Sequence, residues 1–406
     1  MPPIVNRTVE EISQPLGISN FACGFLQAAD FRALVIKAFT APFLAALTTL
    51  TLFVSDMNAH SLFIGTYTRE TSKGIYSLTL DATTGELSTP VVAAETKNPS
   101  YLALSPDHKF LYAVSEADAM AVSFSVGPEG KLTSLQSPQP AEGKAPCHLV
   151  VDRTGRTLLV ANYQTGVLAS IPILPDGTLG HAGSIIQHTG SSVDPARQTS
   201  AHMHSVTLSP DNRHVIACDL GLDKIFTYRL DPASARLSSE KPAFTAATPG
   251  SGPRHFAFSP SGQFGFCIAE MSATLTAYRY HADNGSLMEV DHKSTLPSDF
   301  HGPNSAAAVR VHPNGRFVYS SNRGADNIAV FAFDEAAARL SLVEIVPSGG
   351  KNPRDFALSP DGKWLVAAHQ DSQSLIVFRV DAQTGRLTRT ASAATVSMPV
   401  CVLFAD

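Results

Sequence analysis

Residues 355–370 read DFALSPDGKWLVAAHQ: an apolar run, a Ser-Pro-Asp-Gly turn, and a second apolar run. Short apolar runs bounded by Pro, Asp and Gly are the pattern of antiparallel strands joined by a tight turn. The phrase recurs as YLALSPDHKFLYAVSE (101–116), HLVVDRTGRTLLVANY (148–163), SVTLSPDNRHVIACDL (205–220), HFAFSPSGQFGFCIAE (255–270) and AVRVHPNGRFVYSSNR (308–323). Anchored on the second turn residue, the copies fall at Pro106, Arg153, Pro210, Pro260, Pro313 and Pro360, spaced by 47, 57, 50, 53 and 47 residues. A third strand follows and ends in an Asp-x-x-Thr-Gly-x-Leu turn, as in DATTGEL (81–87) and DAQTGRL (381–387). A period of about 50 with four strands per unit predicts a β-propeller.

The two ends of the repeat region fix the number of blades. PVCVLF (399–404) is a first strand with no second strand after it, and LFIGTY (62–67) is a second strand with no first strand before it. Together they complete a seventh blade, which closes the ring and leaves no sheet edge open there. The expectation is an all-β protein: a seven-bladed β-propeller over residues 60–406, four antiparallel strands per blade, with one blade shared by both ends. Two insertions, 177–201 and 291–305, precede first strands and are expected over one mouth of the ring.

Residues 1–59 form an N-terminal extension. Within it, AFTAPFLAALTTLTLFV (38–54) is uncharged, follows Arg32 and Lys37, and leads to a cleavage position after Ala59. This is the layout of a signal peptide over about 35–59, with Val35 as the start of a 25-residue leader, and it predicts a periplasmic or secreted protein. The apolar stretch is 17 residues long and broken by Pro42, short for a stable membrane span in the mature chain. Without cleavage the extension would belong to a cytoplasmic protein.

Composition narrows the partners. The 406 residues carry 30 Lys+Arg against 35 Asp+Glu, so no basic excess exists to meet a nucleic acid. The five cysteines, at 23, 147, 218, 267 and 401, form no CxxC pair and no metal-ligand spacing, and no metal or other cofactor is expected.

In a propeller the first strand of each blade lines the channel, and its start shares a face with the end of the second strand. Six residues before the anchors stand Ser100, Cys147, His204, Arg254, Ala307 and Arg354, with Val400 at the matching place of the C-terminal copy. Ten after them stand Glu116, Tyr163, Leu220, Glu270, Arg323 and Gln370, with Tyr67 at the matching place of the shared blade. Titratable groups converging on one concave opening mark the place for chemistry. Polar channel linings also tie blades together, and that structural reading stands beside the functional one.

These phrases carry a resemblance to the seven-bladed propeller lactonases, the family of propeller-type 6-phosphogluconolactonases that also includes carboxymuconate lactonizing enzymes. The matching motifs are FIGTYT (63–68) with GIYSLTLDATTGEL (74–87), VANYQTG (160–166), AHMHSV (201–206) with DLGLDKIFTYRLD (219–231), GPRHFAFSPSGQFGFCIAE (252–270), SNRGADNIAVF (321–331) and GGKNPRDFALSPDGKWLVAAHQDS (349–372). The resemblance implies a metal-independent hydrolase of sugar lactones whose site residues are His204, Arg254, Glu270 and Arg323. It departs from the family at Ala308, where an acidic residue is common.

Lactone hydrolysis needs a base for water, positive charge for the carbonyl oxygen, and a proton for the leaving ring oxygen. His204 or Glu270 suits the base, and Arg254 and Arg323 suit the charge, since guanidinium does not give up its proton. Arg354 and His255 are further substrate-binding candidates, and Asn162, Tyr163 and Asp219 are expected to shape the pocket. Two other readings remain open: a muconate-type lactonizing cycloisomerase using the same groups, and a non-catalytic ligand-binding propeller. A serine esterase is disfavoured because the chain holds no GxSxG elbow.

Overall fold

The computed structural model describes residues 59–405; the expected leader, except its last residue Ala59, and Cys23 lie outside the described residues. Seven sheets follow one another, each with a main path of four antiparallel strands. Blade 1 runs through Leu102–Leu104, Phe110–Ser115, Met120–Val126 and Leu132–Ser134, with a short extra strand at Gln139–Pro140. Blade 2 holds Pro146–Val151, Thr157–Asn162, Val167–Pro172 and Ser184–Gln187, and blade 3 holds Met203–Leu208, His214–Asp219, Lys224–Asp231 and Arg236–Ala246. Blades 4, 5 and 6 begin at Pro253–Phe258, Ser305–Val311 and Pro353–Leu358. Blade 7 has the order Pro399–Phe404, Ala59–Thr66, Gly74–Asp81, Val91–Glu95, so the last strand of the chain is the inner strand beside the first. The expected seven-bladed ring with a shared blade is the observed one. Each inner strand touches the next, and the strand at 399–404 touches the one at 102–104, which closes the circle.

Burial follows distance from the axis. The second strands TLLVAN (157–162), HVIACD (214–219), FGFCIA (264–269) and WLVAAH (364–369) are buried at every position, which explains their unbroken apolar runs. Outermost strands such as RLSSEKPAFTA (236–246) are open to solvent on one side and alternate instead. The hydrophobic core is divided into seven clusters, one between each pair of neighbouring blades: Leu62, Ile64 and Val402 of blade 7 pack on Trp364 and Val366 of blade 6, and Phe264, Phe266 and Ile268 of blade 4 pack on Val318 and Phe331 of blade 5.

The recurrent Thr-Gly turn has a packing cause. Gly85 and Gly385 sit at φ +75° and +74°, and a side chain on either would strike an aromatic ring of the preceding blade, Trp364 at 2.5 Å and Phe317 at 2.4 Å. Trp364 Nε1 also donates to Ala82 O in that turn at 3.0 Å. Of the two expected insertions, 177–201 contains the outer strand of blade 2 at 184–187 and 291–305 begins within the outer strand of blade 4 at 286–294, and the residues after these strands are loops.

Candidate active site

The inner strands share a defect that makes the site. In blade 3 Met203 pairs with Asp219 and Ser205 with Cys218, so His204 has no partner across the ladder. Arg254 is skipped in the same way between Pro253 and His255, and Arg354 between Pro353 and Asp355. Each is the extra residue of a β-bulge, a device that bends the strand and re-aims a side chain. The bulge in blade 5 lies between Ala306 and Val309. It turns backbone carbonyls to the arginines: Ala307 O accepts from Arg254 Nη1 at 2.6 Å, and Ala306 O from Arg323 Nη2 at 3.0 Å. Ala308 itself is fully buried against Tyr319 and Phe356 in the core between blades 5 and 6.

Glu270, one residue past its strand, is the centre of the mouth. Its Oε2 accepts from Arg254 Nε at 3.1 Å and Arg323 Nη2 at 2.9 Å, and its Oε1 from Arg197 Nη2 at 2.6 Å. Burial would push this carboxyl up, but Arg323 and Arg254 outweigh it and hold it far below the carboxylate range. Glu270 is therefore a fixed anion and a poor base at neutral pH. His204 Nε2 stands 3.8 Å from Glu270 Oε2, and its Nδ1 has no hydrogen-bond partner among the described residues. Burial and the positive charge of Arg254 hold His204 well below the usual imidazole value, so it is neutral. Arg254 is pushed down to about 9 by burial and by Arg323 and Arg354, which leaves it charged at neutral pH.

Beneath this layer the channel is filled by rings. His204 and His255 lie 5.4 Å apart, His255 and His148 5.2 Å, and His148 stacks on Tyr101 at 3.9 Å. His148 and His255 are also held neutral, chiefly by burial. A cavity of about 600 Å³ reaches this layer from the Ser-Pro-Asp-Gly side, and a hollow of about 430 Å³ lies beside Arg323 on the upper face.

The four principal candidates, His204, Arg254, Glu270 and Arg323, come together. Tyr163 joins them, stacked on His202 at 4.5 Å with its hydroxyl 3.4 Å from Arg197. His255 stands one step down the channel, bonded through Nε2 to Arg254 Nη1 at 3.1 Å. Asn162 turns into blade 2, donating to Ala141 O at 2.8 Å and Val167 O at 3.3 Å. Asp219 is fully buried and binds His188 Nδ1 at 2.9 Å and the His202 amide at 2.8 Å, so it supports the loop that leads to His204. Arg197 was not among the sequence candidates. It comes from the 188–202 loop, where Asp194 Oδ1 accepts the amides of Ala196 and Arg197 at 2.8 and 2.9 Å. The signal available was that Arg197 is the only arginine in that loop.

A neutral imidazole beside a fixed carboxylate and several guanidiniums can move a proton and hold negative charge on oxygen, the equipment of a hydrolase. The chain belongs to the family described as "Lactonase, 7-bladed beta-propeller", matched over residues 61–404, and is a lactone-hydrolysing enzyme. It is 37% identical to the 6-phosphogluconolactonase of Bacillus subtilis over 345 residues, 84% of this chain and 97% of the relative. A 6-phosphogluconolactonase of Formosa agariphila is 30% identical, covering 81% and 94%. Among solved structures, the periplasmic gluconolactonase of Pseudomonas aeruginosa superposes with a TM-score of 0.80 at 35% identity, covering 85% of this chain and 99% of that one.

Proposed function

We propose that the chain opens a sugar lactone by attack of water, with His204 as general base. The observation that carries this reading is a buried, neutral His204 next to a carboxylate that three arginines keep ionised. His204 Nε2 takes one proton from water as the oxygen bonds to the carbonyl carbon. The carbonyl oxygen becomes an oxyanion facing the arginines, and Glu270 stabilises the imidazolium 3.8 Å away. When the bond from carbon to the ring oxygen breaks, His204 returns the proton to that oxygen, and the hydroxy acid ionises at neutral pH. Arg254 and Arg323 fix Glu270 and complete the positive wall. The substrate is a gluconolactone or its 6-phosphate, in keeping with the relatives' activities.

Proton release on adding glucono-δ-lactone or 6-phosphogluconolactone tests the reading. Lack of turnover of both, or an absorbance change on a muconate instead, would overturn it. The leader at 35–59 is proposed to export the enzyme, in line with the periplasmic relative. Among the described residues no helix is long and apolar enough to cross a membrane. N-terminal sequencing of the protein from its native host checks the export: an intact residue 1 would refute it.

A further inference from the structure

Charges at the mouth sort into two kinds. Arg254 spends Nε on Glu270 and Nη1 on Ala307 O and His255; Arg323 spends Nε on Ser305 O and Nη2 on Glu270 and Ala306 O. Arg197 is held by Glu270 and Tyr163. Arg354 is different. Its bulge brings it to the same opening, yet its guanidinium makes no hydrogen bond and no ion pair among the described residues. It lies instead over the face of Tyr67, 5.4 Å from guanidinium carbon to ring centroid. Glu116, the other acid of the mouth, is engaged by Ser100 Oγ at 2.5 Å.

Arg354 is half-buried at the mouth, and no acceptor among the described residues holds its guanidinium in place. Burial works against the charge, but the carboxylates of Glu116 and Glu270 lie near enough to keep Arg354 protonated. Five donors in a planar fork therefore remain uncommitted at the centre of the site. Resting on the lactonase reading above, the geometry points to Arg354 as the catalytic residue that binds the lactone carbonyl oxygen and the negative charge it gains as water adds. Arg254 and Arg323 are then positioning residues, whose charge is already answered by Glu270.

The test uses the full chain with Arg354→Met, Arg354→Lys and Arg254→Met, assayed on glucono-δ-lactone and 6-phosphogluconolactone. Arg354→Met is expected to lower kcat and kcat/KM together by about a hundredfold on both lactones, as for loss of a preorganised oxyanion donor. Arg354→Lys should recover only part of this, because a point charge does not reproduce the fork. Independently of activity, Arg354→Met should melt close to the wild-type temperature, whereas Arg254→Met should melt well below it. A defect confined to KM on the phosphorylated lactone would make Arg354 a phosphate anchor and overturn the assignment; so would normal kinetics, or a clear loss of stability in Arg354→Met. Wild-type protein inert on both lactones would instead overturn the underlying lactonase reading, and this assignment with it.

Discussion

Changing Glu270 to Gln removes one charge while keeping the shape of the side chain. Three guanidiniums depend on that carboxylate, at 2.6, 3.1 and 2.9 Å, and the side chains of Glu270 and Arg254 are only 7% and 3% exposed. Removing one partner of a buried pair costs roughly 3–5 kcal/mol, because the other charge stays buried. With an unfolding entropy of about 2.1 cal/mol/K per residue over roughly 350 residues, the melting temperature should fall by about 4–7 °C. The pH dependence has a definite sign. Glu270 titrates below its unfolded value, so its contribution is complete above about pH 4.3 and is lost as the pH falls from there toward its native value. The gap between wild type and Glu270→Gln should be full at pH 7 and shrink below about pH 4. Scanning calorimetry at pH 7, 5 and 3.5 measures it. A difference under about 1 °C at pH 7, set against the several degrees expected, would refute the view that this carboxylate organises the mouth.

Arg197→Ala should alter stability by less than about 1 kcal/mol, since its side chain is 41% exposed and screened, while lowering kcat/KM through the loosened Glu270; a melt and a kinetic assay separate the two. Deleting residues 399–406 should destabilise the ring by several kcal/mol, at about 2 kcal/mol for each of the buried Val400 and Val402 alone, whereas deleting residues 1–58 should leave the melting temperature unchanged. His148, His204 and His255 stay neutral when folded and would protonate near pH 6.5 when unfolded, so stability should drop as the pH falls below about 6.5, by up to about 1.4 kcal/mol per pH unit for each histidine. Denaturant titrations at pH 7.5, 6 and 5 read that slope, and a flat profile would contradict the neutral assignment. Turnover should survive a chelator, because the proposed route uses only side chains of this chain; activity lost to chelation and restored by a divalent ion would contradict it.

The propeller was readable because its rules are periodic. Six turn anchors and two half-blades state the period and the closure, and each blade obeys the same alternation of apolar and polar positions. Counting from the anchors also reached His204, Arg254, Glu270 and Arg323, since the period carries a fixed offset from turn to mouth. Bulges were beyond it. Strict alternation would send Arg254 and His255 to opposite faces, and only the skipped register lets both address the channel. Arg197 lies in a loop with no period to count along, and its contact with Glu270 spans 73 residues of chain. Asn162 and Asp219 occupy the right offset, but the Asn162 amide donates to the Ala141 carbonyl and the Asp219 carboxylate accepts from His188 and the His202 amide, partners that composition does not reveal.

Which residues at such a mouth hold the ring together and which act on a substrate is decided by compensation more than by residue type. Glu270 is shared among three arginines from the 188–202 loop and the inner face of blades 4 and 5, so it ties those elements while tuning its neighbours. Groups whose charge or hydrogen bonds are already answered within the fold would lose those contacts before gaining any from a ligand. His204, whose Nε2 stands 3.8 Å from Glu270 and makes no hydrogen bond among the described residues, and Arg354, with no hydrogen bond or ion pair among them, have little to surrender. A substrate that supplies an oxygen to Arg354, with a water at His204, thus makes contacts for which no group of the fold competes. The blades fix where these two groups stand, and the arginine–glutamate cluster fixes their protonation, so a uniform scaffold carries a site specified by a few unanswered side chains.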